Sequence, residues 1–242
     1  MTDAHAPDID PLAQLGQRLA GGSVHTVVLV EGLSDQAAVE VVAERCGHRP
    51  GRDGFAVVPM HGATNVGRFL HRLSGLGLCL VVLTDANEAP GIRRRLTDAG
   101  VPEAVLCVCA PDLEAELIRA LGARRVQSLI AEQGDERAFR SLQKQPEWRG
   151  KPVEEQLRRF FGAGSGRKLR YGRVLAQHLS PTALPAPLRE VMRTIQGQRG
   201  GASVLAGQRL GQRDPPVEQL RGGSGVERLG RPLDARGDVV DE

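Results

Sequence analysis

Glu31, Asp85, Asp112 and Glu114 are the residues whose type and placement offer chemistry, because each stands at or just beyond the end of a short apolar run. Carboxylates brought together in this way repel one another, raise each other's pKa values and strain the fold. A hard divalent cation resolves the conflict. Mg²⁺ takes oxygen donors, keeps several waters and binds through one or two carboxylates together with a substrate phosphate. The set therefore suits phosphoryl chemistry, in which one or two ions activate a water and stabilise the leaving oxygen. Mn²⁺ is the alternative ion.

The elements that must position these groups follow from the pattern. Thr26-Val-Val-Leu-Val30 is a β-branched and apolar run too short for a helix, closed by Glu31-Gly32. Ser34 or Asp35 caps a helix expected over 35–46. A second strand over 55–59 ends before His61-Gly62, and Thr64 or Asn65 caps an amphipathic helix bearing Val66, Phe69, Leu70 and Leu73. The third strand, 78–83, runs into Thr84-Asp85-Ala-Asn87-Glu88 and a helix over 92–99. The fourth, 104–108, precedes Pro111-Asp112-Leu-Glu114 and a helix reaching Leu121-Gly122. Continuous apolar strands alternating with helices predict an α/β fold with a parallel sheet covered on both faces. Ligands of such sheets gather beyond the carboxyl ends of the strands, which is where the acids fall.

Past residue 123 the strands stop. Helical patterns over 126–132, 136–143, 153–161 and 169–179 predict a smaller helical appendage. Residues 137–173 are strongly basic, with Arg140, Lys144, Arg149, Lys151, Arg158, Arg159 and Arg170, and phosphate neutralisation is a natural use for them. A solvated helical face is the plainer reading. Its large aromatics, among Trp148, Phe160, Phe161 and Tyr171, are read as core before base-stacking platforms. The Gly-rich stretch 162–168 lacks the GxxxxGK(S/T) spacing and follows no apolar strand, which argues against nucleotide binding there. Glu31-Gly32 also suits a plain turn, Asp35 a simple N-cap, and Asp112 with Glu114 the acidic first turn of a helix. Of the scattered histidines, only His61 stands beside a strand end.

The net charge of +3 over 242 residues is too small to indicate nucleic acid by itself, so the distribution of Arg matters more. Aromatic residues are 3% of the chain, so Val, Leu and Ala must fill the core. Cys46, Cys79, Cys107 and Cys109 form no CxxC pair and are expected to be reduced core residues of a cytoplasmic protein. No stretch approaches the ~18 apolar residues that span a bilayer.

The ordered motifs Val-Leu-Val-Glu31-Gly32-Leu-Ser-Asp35, Pro-Met-His-Gly62 before Thr64-Asn65, Leu-Thr-Asp85-Ala-Asn87 and Pro-Asp112-Leu-Glu114-Ala-Glu-Leu117 resemble the TOPRIM domain. More narrowly, they are similar to the TOPRIM domains of OLD-family (overcoming lysogenization defect) nucleases, over about residues 24–180. The resemblance implies a Rossmann-like sheet and a Mg²⁺-dependent endonuclease acting on DNA, with RNA as the other substrate. Glu31 then matches the TOPRIM glutamate, a metal ligand or general acid/base, and Asp35 the acid that follows it. Asp85 matches the first aspartate of the DxD motif. Asn87 departs from the second, which removes a charge, although its carbonyl oxygen or neighbouring Glu88 can stand in. Asp112 and Glu114 match the acidic pair expected to hold a second metal. Lys168 matches the lysine near the scissile phosphate, with Arg167 behind it. Lys144, Lys151, Arg158, Arg159, Arg167, Lys168 and Arg170 are the expected nucleic-acid contacts.

OLD proteins join this domain to an ABC-type ATPase. No Walker motif occurs here, so ATP dependence would need a separate ATPase partner. The organisation expected is a flexible leader (1–22), a TOPRIM domain (23–122), a helical OLD-type extension (123–196) and a disordered Gly/Arg-rich tail (197–242). The competing readings are a catalytically weak module that binds nucleic acid or a partner after DxD became DxN, and a TOPRIM nucleotidyl transferase. Tyr171 is not in a convincing setting for a nucleophile.

Overall fold

The structure is a computed structural model that describes residues 10–164 and 166–209. Residues 1–9 of the expected leader, Ser165 and the part of the expected tail past residue 209 lie outside the described residues. Within them, β1 (Thr26–Val30), β2 (Phe55–Pro59), β3 (Cys79–Asp85) and β4 (Val105–Cys109) form one all-parallel sheet of order β2-β1-β3-β4. The strands of β1 and β2 are buried at every position, as the continuous apolar runs demand. Alternate side chains feed two separate cores. Val28, Val30, Val81 and Leu83 face one side; Val27, Leu29, Leu80 and Val82 face the other.

The second core is closed by α1 (Pro11–Ala20), α3 (Val66–Leu73) and α4 (Ala89–Asp98), which contribute Leu15, Phe69, Leu70, Ile92 and Leu96. Residues 11–20 thus form a packed helix, capped by Asp10, whose side chain accepts from the Leu12 N–H at 3.1 Å. The first core receives α2 (Leu33–Arg45) and α5 (Leu113–Leu121), and the helices that follow: α6 (Ala123–Glu132), α7 (Glu136–Lys144), α8 (Val153–Gly162) and α9 (Arg167–His178). Residues beyond 123 therefore share one apolar cluster with the sheet, through Phe160, Phe161, Tyr171 and Leu175.

A helix that the sequence reading lacks completes this layer. α10 (Ala186–Arg209) lies on β1, β3 and β4 and buries Leu188, Val191, Met192 and Ile195. Each such burial stabilises by roughly 1.5–3 kcal/mol, so these residues anchor the helix to the sheet. Its backbone stays helical through residues 197–209, where a tail was expected. No helix among the described residues is long and apolar enough to cross a membrane.

Candidate functional site

β1 and β3 are neighbours, yet the helices that follow them leave for opposite faces, α2 towards the first core and α4 towards the second. A crevice opens at such a divergence, and ligands of α/β sheets bind there. Glu31 immediately follows β1, and Asp85 is the last residue of β3. Two residues beyond the last paired positions, Leu29 and Val82, stand Glu31 and Thr84, so both acids reach the same end of adjacent strands. The Gly62 N–H donates to the Glu31 carbonyl at 3.0 Å and ties the β2–α3 turn to it. In that turn His61 takes a left-handed φ of 55°. Asn65 holds the turn by donating to the Met60 and His61 carbonyls at 2.9 and 3.1 Å, rather than capping α3 with its side chain. Beyond Asp85, the Ala86 N–H donates to the Cys109 and Pro111 carbonyls at 2.9 and 3.0 Å, which fixes the Asp85-Ala-Asn87 turn against β4.

The electrostatics of this edge are those of crowded acids. Burial pushes the Asp85 carboxyl up to about 7, and Glu31, Asp112, Asp35 and Glu114 all add to the push. Glu31 is likewise raised, by burial first and then by Asp35, with Lys168 pulling the other way and Glu88 adding to the rise. The Thr84 hydroxyl beside them is buried with no hydrogen-bond partner among the described residues.

The other predicted acids have partners. Asp35 is buried in the first turn of α2, where its Oδ2 accepts from the Gly32 N–H at 3.0 Å and Oδ1 from the Ser34 hydroxyl at 3.4 Å. Burial raises its pKa, against Lys168 and these bonds. Asp112 is the N-cap of α5, with Oδ1 accepting from the Ala115 N–H at 2.8 Å. The Arg158 guanidinium also grips Asp112 with two nitrogens, Nε donating to Oδ2 at 3.0 Å. Glu114 pairs with Lys168 at 3.2 Å. Burial tends to lower the Lys168 pKa, but Glu114, Asp35 and Asp85 together outweigh it and keep the ammonium charged. Lys168 is brought here by helix packing. Gly172, one turn further along α9, lies so close to α2 that a Cβ there would stand 2.9 Å from the Ser34 carbonyl oxygen.

The basic stretch divides. Lys144, Lys151 and Arg159 are exposed, as a phosphate-contacting surface requires. Arg167 instead closes the end of α8, donating to the Phe160 carbonyl at 3.2 Å and to that of Ala163, with its guanidinium 4.3 Å from the Phe160 ring centroid. Arg170 pairs with Asp135, which also accepts from the Tyr171 hydroxyl at 3.0 Å. Phe160, Phe161 and Tyr171 are core residues, whereas Trp148 is only partly buried. Asn87 and Glu88 are exposed beside Asp85. Glu88 was legible as a substitute for the missing aspartate; Thr84, Glu116 and Trp148 were not assigned to the site. Glu116 is buried and accepts from the Ala110 N–H at 3.1 Å, which orders the β4–α5 turn that carries Asp112.

Hard oxygen donors under mutual repulsion fit a divalent ion that keeps most of its waters. Among the described residues no three His, Cys, Asp or Glu side chains stand together as a ready-made metal cage. Glu31 and Asp85 are the acids of this edge with no ion-pair partner among the described residues, and the fit is to binding by two carboxylates plus a phosphate. Asp112 and Glu114, expected to hold a second ion, are instead paired with Arg158 and Lys168 in this structure.

Residues 24–86 match the family described as Overcoming lysogenization defect protein-like, TOPRIM domain. The chain carries an OLD-like TOPRIM domain on a TOPRIM fold. The match takes in Glu31, Asp35 and Asp85 and stops one residue before Asn87. The C-terminal region of the Xanthomonas campestris pv. campestris OLD protein, in a structure phased with platinum, is similar at 23% identity and a TM-score of 0.59, over 79% of this chain and 99% of that one. A second structure of that region, phased with mercury, gives 22% and 0.57 over 74% and 98%. The C-terminal region of the Burkholderia pseudomallei OLD protein gives 20% and 0.54 over 73% and 98%. At these identities the likeness is one of fold, and it extends past the family match into the helices beyond residue 123. A search of curated proteins finds no match.

Proposed function

We propose that this protein is a divalent-metal-dependent nuclease that cuts nucleic-acid phosphodiesters, DNA first, in the cytoplasm. The observation that carries the reading is the accumulation of acids at the strand ends, felt most at Asp85, whose carboxyl is raised to about 7 by burial and by Glu31, Asp112, Asp35 and Glu114. Beside it stands a lysine held in its charged form. The OLD-like TOPRIM match supports nucleic acid as the substrate, and the four free cysteines suit a reducing compartment.

Glu31 and Asp85 are the residues that would hold Mg²⁺ or Mn²⁺. Such an ion, when bound, polarises a phosphoryl oxygen and makes a bound water acidic. Glu31, whose pKa is raised by burial and by Asp35, would exchange a proton near the scissile bond. Lys168 turns its ammonium from Glu114 to the phosphate and stabilises the charge that builds there. Lys144, Lys151 and Arg159 neutralise flanking phosphates. Nicking of supercoiled plasmid in Mg²⁺ or Mn²⁺ tests the reading. Cleavage should be lost in Glu31→Ala and Asp85→Ala, and equal cleavage by wild type and both variants contradicts it.

A second reading rests on Asn87, an exposed amide where the DxD pattern has a carboxylate. A catalytically weak nucleic-acid-binding module would bind DNA with a steep salt dependence and nick none in either metal.

A further inference from the structure

Trp148 is the one tryptophan of the chain, and it sits in the connection between α7 and α8. That connection is built with unusual care for a surface loop. Its backbone turns on itself, the Trp148 N–H donating to the Gln145 carbonyl at 3.0 Å and the Lys151 N–H to that of Trp148 at 3.2 Å. Beneath it lies Gln156, a buried amide. Its Nε2 donates to the Trp148 and Lys151 carbonyls at 2.9 and 3.1 Å, and its Oε1 accepts from Gln143 Nε2 at 2.8 Å. Both ends of this amide are engaged in fixing the loop that presents the indole. A polar group goes into an apolar interior at a cost unless all its bonds are made, and here they are made to hold Trp148 in place.

The ring packs partly on the core, and it also lines a cleft of about 470 Å³. The same cleft is lined by Asp112, Glu114, Arg158, Arg159 and Lys168. One aromatic side chain and three cations therefore share a single cleft with Asp112, Glu114 and Glu155, and one of those cations, Lys168, also acts on Glu31 at the acid edge. The Arg159 guanidinium lies 6.0 Å from the Trp148 ring centroid. The volume suits one nucleotide unit, in the range of ordinary small-ligand sites of about 300–1,000 Å³, and stacking on Trp148 requires a base that is not enclosed in a duplex stack.

We propose that this cleft receives an unpaired nucleotide of the substrate strand, its base stacked on Trp148 and its phosphate between Arg159 and Lys168. The proposal rests on the nuclease reading for the identity of the strand and adds a preference: single-stranded or frayed nucleic acid over fully paired duplex. Stacking on an aromatic ring tolerates any base, so the preference is for strand state and not for sequence.

Because Trp148 is the chain's only tryptophan, its fluorescence reports this cleft alone. The full-length protein in EDTA, where no cleavage proceeds, is titrated with a twelve-residue oligothymidylate, with the same oligonucleotide annealed to its complement, and with free thymidine monophosphate. Saturable quenching by the single strand is expected, with the duplex and the mononucleotide each at least about tenfold weaker. Anisotropy of a labelled oligonucleotide then reads the variants. Trp148→Leu should weaken single-strand binding at least about tenfold with duplex binding unchanged, and Trp148→Phe should restore most of it. Matching thermal melts of the variants exclude unfolding as the cause. Equal quenching by single strand and duplex, equal affinity for the mononucleotide, or a leucine variant that binds single strand like wild type overturns the proposal. Plasmid nicking separates the two ideas: a protein that nicks without a Trp148 response loses only this inference, and one that shows the response but never nicks loses only the nuclease reading.

Discussion

Two groups of carboxylates reach the same edge of the sheet and meet opposite fates. Asp112 and Glu114, in the β4–α5 turn, are each matched to a cation from the helical extension, Arg158 and Lys168. Glu31 and Asp85, at the ends of β1 and β3, are ion-paired to nothing among the described residues, and burial raises both pKa values, helped by Asp35 at Glu31 and by Glu31 at Asp85. The difference teaches where an added cation belongs. Where the chain supplies its own positive charge, acids act as caps and braces. Where it supplies no ion-pair partner, folding leaves a negative potential that a bound cation or a proton relieves.

The strongest way to break this comparison is to remove charge from the unpaired group. Glu31→Gln should cut metal-dependent nicking by about a hundredfold or more, since even outer-shell partners of metal ligands are worth about 10–100-fold. Nicking kinetics at matched protein concentration check it. Glu114→Gln, in the paired group, should cost far less.

Next in size is the packing that delivers Lys168. Gly172→Ala would put a Cβ 2.9 Å from the Ser34 carbonyl oxygen of α2, so either helix has to move. Overpacking of this kind costs about 1–3 kcal/mol. Urea denaturation should show that loss, and nicking should fall with it because α9 carries Lys168.

Removing the counter-charge of Asp112 sharpens the other half. Arg158→Met leaves a partly buried carboxylate with its helix-capping bond and no cation. The expected loss is about 1–2 kcal/mol, between the values for exposed and buried pairs. Adding Asp112→Asn to that variant should recover part of it in the same denaturation measurement.

The unpaired group also carries a pH dependence. The folded-state pKa of Asp85, about 7, lies above its usual value of 3.8, so between these pH values the folded protein holds more protons than the unfolded chain. Stability contributed by the protonated form is complete below about pH 4 and is lost as pH rises through about 7. Metal-free Asp85→Asn should therefore melt above wild type at pH 8, with the gap closing at pH 4. A gap of the opposite sign at pH 8 would show Asp85 to have a stabilising partner.

The strands and their terminal acids were legible because parallel, doubly covered strands read as uninterrupted apolar runs, and Glu31, Asp85 and Asp112 sit where those runs stop. Side-chain partnerships were not legible. Arg158 meets Asp112 across 46 residues and Arg170 meets Asp135 across 35, and nothing local encodes which base finds which acid. The basic stretch therefore looked uniform, when Arg158, Arg167 and Arg170 are structural clasps and Lys144, Lys151 and Arg159 remain open to solvent. α10 did carry a helical signal, since Leu188, Val191, Met192 and Ile195 recur with helical spacing. Pro181, Pro185 and Pro187 around its start mask it, although proline is tolerated in a helix's first turn. Trp148 was grouped with the core aromatics because composition cannot tell a ring that faces a cleft from one that is enclosed.

Direct titration of Mn²⁺ into the metal-free protein, read by the loss of the free-ion paramagnetic signal, tests the central claim. One binding event should appear in wild type, disappear in Glu31→Gln and in Asp85→Asn, and persist in Glu114→Gln. Binding that survives in both Glu31→Gln and Asp85→Asn would contradict it.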